Sequence, residues 1–424
     1  MPNPNPSPVV IIPGYYGTLL IDKGAADKVV WLTLGSMFES GDVLDAINLE
    51  TGDPDRIVSG GILEEIQIVG NWAPNFYKTL RMFFGSIGFA PENVISFGVD
   101  WRRTLSFNVD QLRARIERAG RANIVAHSHG GLIAREYLRK YGNDPRVDSL
   151  ITLGTPHRGM LLTFEALVQG IGFFGWSKSH LMKTARTFPS AYELLPFNSA
   201  DGFFEWNGNP KADAFTQTAW ANASMLGKIS DAAGVVAGLR KELKVKSAFI
   251  YGTHRDTKTR AVGSPNKKMK FETHPAGDGT VPTLSASGKD LGGPIERYAI
   301  PYGVHSQLFD YEPAQSIMKN ILFDRPKPHF AVGFSREMYM TGKPLGIAVD
   351  LRDLHGERFA DADVRISLRG APPVPIPLDN ASGDHFLEIN MPPSPQHIQY
   401  KITANASKLS QPFTDVGVLH PMNN

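Results

Sequence analysis

The sequence predicts a mostly parallel α/β domain carrying an inserted helical cap, followed by an all-β sandwich. Three observations lead there. Over the first 325 residues, short apolar runs closed by turn signals alternate with stretches of helical periodicity. From Met160 to about Lys246 the apolar runs give way to helix-prone, aromatic-rich sequence. Beyond Asp324-Arg325-Pro326-Lys327-Pro328, a stiff prolyl linker, the apolar period becomes two.

Six runs carry the strand signal. Val9 to Ile12 ends at Pro13-Gly14, Val94 to Val99 at Asp100-Trp101, and Ile124 to Ala126 at His127. Leu150 to Leu153 ends at Gly154, Ala248 to Tyr251 at Gly252, and Tyr298 to Ile300 at Pro301. Between them Val109, Leu112, Ile116 and Ala119 recur at helical spacing, as do Leu132, Ile133, Tyr137, Leu138 and Tyr141 before the stop at Gly142. Buried strands alternating with helices imply a parallel sheet covered on both faces, with ligands bound at the carboxyl ends of the strands. The region from about 160 to 246, with Phe164, Phe173, Phe174, Trp176, Phe203, Phe204, Trp206 and Trp220, reads as a cap inserted into this domain of residues 1–325. In residues 326–424, about seven runs such as Leu345, Ile347, Val349, Leu351 and Ile398, Tyr400, Ile402 lie between Gly, Pro and Asn turns, which predicts an antiparallel, immunoglobulin-like sandwich.

Composition narrows the chemistry. Of 424 residues 42% are hydrophobic and 20% charged, which excludes a mainly disordered chain. With 44 basic and 42 acidic residues and no basic run, no nucleic-acid partner is expected. There is no cysteine, so disulfides, thiolate nucleophiles and cysteine-ligated metals are excluded together. The opening Met1 to Pro8 has neither a basic nor an apolar leader region, and a cytoplasmic location is expected. No stretch reaches the roughly 18 apolar residues of a membrane span, leaving at most peripheral contact with a lipid surface.

Ala126-His127-Ser128-His129-Gly130-Gly131 holds the strongest chemical signal, because a strand runs into x-His-Ser-x-Gly and straight on into a helix. That context makes a nucleophile elbow, in which a sharp turn presents the Ser128 hydroxyl at the edge of the sheet. Ala126 stands where a glycine is usual; Gly130 keeps the other small position. Two histidines around the serine could suggest a metal, yet no carboxylate lies at ligand spacing, and neither metal nor cofactor is expected. His129 offers its backbone N–H to an oxyanion. A second donor is expected from the loop after the first strand, Pro13-Gly14-Tyr15-Tyr16-Gly17, with Tyr15 preferred to Tyr16.

A serine needs a base, and the base an orienting acid. His305 follows the last strand and precedes a helix-like stretch, which selects it as base. Asp278, between glycines in Gly277-Asp278-Gly279-Thr280-Val281-Pro282, is the preferred acid; Asp256, just after an earlier strand, is the alternative. Asp100-Trp101-Arg102 reads as a packed indole beside a buried ion pair.

With these residues assembled, the chain resembles the lecithin:cholesterol acyltransferase family of α/β-hydrolases over about residues 8 to 325. The motifs are Val10 to Gly17, Asp100-Trp101-Arg102, Ala126 to Gly131, Leu153-Gly154-Thr155-Pro156-His157-Arg158-Gly159, Pro189-Ser190-Ala191-Tyr192-Glu193-Leu194-Leu195-Pro196, Gly277 to Pro282 and His305. The resemblance implies an α/β-hydrolase fold, a triad of Ser128, Asp278 and His305, and a lid and acyl pocket after Gly159. It implies a lipid or other acyl ester substrate, cleaved by water or passed to an alcohol acceptor; a non-catalytic lipid-binding protein is the remaining reading. Tyr16, Phe173, Phe174 and Trp176 are expected at the substrate and the lid, with the glycines of the 170–175 segment allowing movement.

Overall fold

All six predicted apolar runs form strands of one parallel sheet. The computed structural model describes residues 6–33, 40–51, 53, 55–64, 77–172, 176–197, 202–210, 212–325, 327–380 and 382–422. The strands are β1 (Val9–Ile12), β2 (Val94–Ser96), β3 (Ala122–His127), β4 (Val147–Leu153), β5 (Ser247–Thr253) and β6 (Ile295–Pro301), in spatial order β6-β5-β4-β3-β1-β2. Every neighbouring pair is parallel, with registers such as Val10↔Ile124 and Val125↔Ile151. The chain leaves β1 for β2 on one side and returns to β3 on the other. The crevice between the carboxyl ends of β1 and β3 is therefore the topological switch point, where such sheets bind ligands.

Helices cover both faces. α1 (Leu105–Ala119) buries Val109, Leu112 and Ile116 completely, each contributing on the order of 1.5–3 kcal/mol. Its start is capped by Thr104, whose hydroxyl accepts from the amide of Phe107 at 3.2 Å. α2 (His129–Lys140) follows β3 without a linker and buries Leu132, Ile133, Tyr137 and Leu138. The predicted cap supplies α3 (Leu161–Gln169) and further helices at Lys178–Ala185, Pro189–Glu193 and Ala223–Gly238.

The expectation that the cap lacks strands needs correction: Phe204–Trp206 is a strand, paired in parallel with Asp256–Gly263, which also forms a hairpin with Lys270–Pro275. Three residues are too few for an alternating pattern to register in sequence. The aromatic residues of the cap mostly form its own core, since Phe164, Phe203, Phe204 and Trp206 are buried and Trp220 meets the Phe164 ring edge-on at 4.7 Å. A second unforeseen element is the antiparallel sheet of Thr18–Asp22, Lys28–Trp31 and Ile57–Ile62 after β1.

After α4 (Glu312–Leu322), two further sheets form the sandwich. Ile347, Val349 and Leu351 of one sheet pack against Val364, Ile366 and Ile402 of the other. The sandwich is docked through buried polar contacts. Thr253 Oγ1 donates to Asp384 at 2.6 Å, His329 Nε2 meets the Ala299 carbonyl at 3.3 Å, and the His254 and Phe386 rings stack at 4.8 Å.

Asp100-Trp101-Arg102 is a structural brace, as expected. Arg102 is wholly buried, binds both Asp100 oxygens at 2.9 and 2.7 Å, and donates to the Ile57 carbonyl at 2.7 Å. Trp101 is fully buried, and Ser190 Oγ donates to its carbonyl at 2.6 Å, which ties the cap to this loop. Arg102→Met removes the bidentate partner of the buried Asp100 carboxylate, leaving, among the described residues, only Arg103 Nε at 3.9 Å as a cation beside it, and is expected to cost about 3–5 kcal/mol in urea unfolding followed by circular dichroism. Asp100→Asn combined with Arg102→Met should lose less than Arg102→Met alone; an equal or larger loss would show that the carboxylate is not the source of the penalty.

Candidate active site

The site begins with one strained residue. β3 runs buried to His127, the chain reverses at Ser128 with φ 51° and ψ −123°, and α2 starts at His129. A positive φ on serine costs on the order of 1–3 kcal/mol and persists only where the surroundings over-determine it. Here they do: the Ser128 amide donates to the Leu153 carbonyl at 2.8 Å, while its own carbonyl accepts from the Gly131 amide at 3.0 Å and Thr155 Oγ1 at 2.9 Å. The turn needs a small residue behind it, because a Cβ on Gly130 would lie 2.6 Å from the carbonyl oxygens of Ile12 and Pro13. Ala126 is completely buried at the other flank, so a methyl group is accommodated there.

Ser128, His305 and Asp278 converge from three loops. His305 Nε2 lies 3.0 Å from Ser128 Oγ, and its Nδ1 lies 2.7 Å from Asp278 Oδ2. The second oxygen of Asp278 accepts from the amides of Thr280 and Val281 at 3.0 and 2.7 Å, which aims the first at the imidazole. With Nδ1–H donating to the carboxylate, Nε2 is left to accept the serine proton. The alternative acid, Asp256, is exposed at the start of its strand and makes no hydrogen bond to His305.

Gly154, which the sequence marked as a strand end and as part of the Leu153 to Gly159 motif, is a further part of the site. It sits at φ 59°, and a Cβ there would lie 2.9 Å from His305 Nδ1 and 3.0 Å from Asp278 Oδ2. The glycine ending a strand next to the nucleophile strand was the available signal; its contact with two distant loops was not.

His127 also has a role that spacing did not disclose. Its Nε2 donates to the His305 carbonyl at 2.9 Å, and its Nδ1 accepts from the Tyr77 hydroxyl at 2.8 Å; Tyr77 in turn accepts from the Gly14 amide at 2.7 Å. This chain links the loop after β1, the elbow and the loop after β6, and it requires a neutral imidazole. Burial, helped by the neighbouring His305, pushes the His127 pKa down to about 3. Burial alone does the same to His129, whose two ring nitrogens have no hydrogen-bond partner among the described residues and whose ring meets Tyr15 edge-on at 5.3 Å.

Tyr15 and Tyr16 line the same cavity as Ser128. The Tyr15 hydroxyl donates to Ser190 Oγ at 3.1 Å, and Trp31 Nε1 donates to the Tyr16 carbonyl at 3.0 Å, so both side chains are tied to the core. Among the described residues the backbone amides of Tyr15 and His129 donate to no other group, so both are free to face an oxyanion.

A cavity of about 220 Å³ opens at Ser128 and His305. Its walls are apolar side chains, among them Leu162, Ala166, Leu167 and Ile171 of the cap and Phe309 of the body. Of the three rings expected at its lip, Phe173 and Phe174 lie outside the described residues, and Trp176 is misplaced in that expectation. Trp176 is 5% exposed, packs edge-on against Trp31 at 6.0 Å and does not line the cavity. Contact with a preformed aromatic core outweighs exposure for an indole of that size.

Comparison with known proteins points the same way as the motifs. Residues 62–233 match the family model described as lecithin:cholesterol acyltransferase. The chain is 22% identical over 422 residues to lecithin-cholesterol acyltransferase-like 4 of Arabidopsis thaliana, covering 77% of this chain and 78% of that one. Among solved structures it is similar to a Bacillus licheniformis lipase in its propeptide form, at 13% identity and TM-score 0.34, over 99% of this chain and 75% of that one. A Paleococcus ferrophilus monoacylglycerol lipase matches at 12% identity and TM-score 0.34, over 59% of this chain and 89% of the other. At such scores the fold is read from the strand order rather than from these neighbours. The chain is thus similar to the lecithin:cholesterol acyltransferase family over residues 62–233, and to the plant protein over most of its length.

Proposed function

We propose that this protein is a serine hydrolase that cleaves carboxylic esters carrying an apolar acyl chain, as in lipids. The observation that carries the reading is the pair of distances at His305, 3.0 Å to Ser128 Oγ and 2.7 Å to Asp278 Oδ2, at the mouth of an apolar cavity. Ser128 Oγ attacks the ester carbonyl carbon as its proton passes to His305 Nε2, and Asp278 steadies the imidazolium. The carbon–oxygen bond to the alcohol breaks, and the same proton leaves with the alcohol oxygen. Water then attacks the acyl carbon as it gives a proton to His305 Nε2, the bond to Ser128 Oγ breaks to release the acid, and His305 returns the proton to Ser128 Oγ. The amides of Tyr15 and His129 receive the negative oxygen in both steps.

The apolar wall sets a quantitative expectation. Each methylene removed from water contributes about 0.8 kcal/mol, or roughly fourfold. Over p-nitrophenyl esters of increasing acyl length, kcat/KM is expected to rise by up to about that factor per methylene and to level off once the cavity is filled. A fluorophosphonate adduct should map to Ser128 and vanish in Ser128→Ala together with turnover; an adduct elsewhere, with esterase activity intact in Ser128→Ala, would overturn the proposal.

Neutral buried histidines make the site acid-sensitive. His127 and His129 sit at about 3 in the folded protein against about 6.5 in an unfolded chain. Between those values the unfolded state binds more protons, so stability is complete above about pH 6.5 and falls as the medium is acidified through that window. His129→Leu removes one such group and should flatten the fall by up to about 1.4 kcal/mol per pH unit in denaturant titrations at pH 4 to 7. Parallel pH curves for this variant and the parent would mean that the ring does not stay neutral.

A further inference from the structure

Resting on the reading just given, we infer that the C-terminal sandwich completes a second subsite, one that holds the alcohol portion of the ester, and that this alcohol is an uncharged polyol such as a sugar.

A groove of about 880 Å³ runs between the loops bearing Asp278 and His305 and one face of the sandwich. Thr280, His305 and Ser306 line both this groove and the apolar cavity, so the two spaces meet at the imidazole. Their linings differ in kind. Where the cavity presents aliphatic side chains, the groove presents Arg255 and Asp256 from the α/β body and Arg336 and Glu388 from the sandwich. None of these four charged groups takes part in an ion pair with another described residue. Arg255 Nε donates to the Tyr302 carbonyl at 2.7 Å, which holds that guanidinium at the groove wall. Phe386 of the sandwich, stacked on His254 at 4.8 Å and 14°, and Tyr302 give the groove an aromatic surface.

The chemistry of the leaving group fits this arrangement. His305 returns the serine proton to the alcohol oxygen, so the alcohol must depart past His305, and the groove starts there. Asp379 also lines the groove, but its carboxylate is engaged by the Ser382 amide at 3.1 Å; the remaining two cations and two anions, without mutual pairing, favour a ligand that both donates and accepts hydrogen bonds and carries no net charge. A hydroxyl-bearing ring does both, and its C–H face can lie against Phe386 or Tyr302. An anionic alcohol would meet Asp256 and Glu388, and a cationic one Arg255 and Arg336, each at a desolvation cost. The sandwich therefore acts on selectivity, because Arg336, Phe386 and Glu388 lie on it rather than on the α/β body.

The test keeps the acyl chain constant and changes the alcohol. Rates on glucose 6-laurate and ethyl laurate are compared for the full chain, for Arg336→Ala, Glu388→Ala and their combination, and for Lys401→Ala, an exposed sandwich residue outside the groove. The quantity read is kcat/KM on the sugar ester divided by that on the ethyl ester. With the hydrogen bonds of both charged groups to the sugar hydroxyls lost, the double variant should lower this ratio about tenfold or more, mainly through KM. Lys401→Ala should leave the ratio where it was. A ratio unchanged in the double variant, with its melting temperature and ethyl laurate turnover like those of the parent, would overturn the subsite while leaving the serine hydrolase reading in place. Ethyl laurate turnover that persists in Ser128→Ala would instead overturn that reading, and the subsite with it.

Discussion

The left-handed turn at Ser128 is the constraint on which the rest of the site depends. It directs the serine side chain away from the strand and starts a helix whose first amide sits beside the hydroxyl. It exists only because α2 can approach β1 at Gly130 and because Leu153, Gly131 and Thr155 hold the turn by three hydrogen bonds. Relaxing it would move Ser128 Oγ away from His305 Nε2 and shift the His129 amide with it. The local cost of the turn is offset by packing across the whole sheet, as expected where strain is concentrated at a functional position.

Around that turn, a chain of neutral hydrogen bonds couples loops far apart in sequence. Gly14, Tyr77, His127 and the His305 carbonyl form a line from the end of β1 to the end of β6. A protonated His127 could not accept from Tyr77, so its burial is part of how the loop is held. Gly154 complements this from the other side by leaving room for His305 and Asp278 to touch. The position of His305 is thus decided by backbone contacts as much as by its carboxylate partner, Asp278.

Two surroundings of opposite character meet at His305. The cap contributes aliphatic side chains to the cavity beside Ser128, while most of its large rings stay in the core. The sandwich is fastened to the ends of β5 and β6 by Thr253–Asp384 and His329–Ala299, and so borders the loops that carry the acid and the base.

Much of this was legible in the sequence, for physical reasons. Fully buried parallel strands must be continuous apolar runs, so all six strands of the sheet stood out, as did the period of two in the sandwich. An elbow needs a strand, a small-flanked serine and a helix in immediate succession, a local demand that Ser128 and Gly130 display directly. Chain order then left few candidates for the acid and the base. Pairings between distant segments were not legible. The three-residue strand Phe204–Trp206 exists only because Asp256–Gly263 lies beside it. Trp176 carries the same composition signal whether it faces a cavity or packs on Trp31. The link from His127 to Tyr77 and the clearance at Gly154 join residues 50 and about 150 positions apart, and the groove needs two domains at once. Sequence determines which segments must be buried and which local turn a side chain needs; only the folded chain decides what those buried groups touch, because long-range contacts leave no periodic trace.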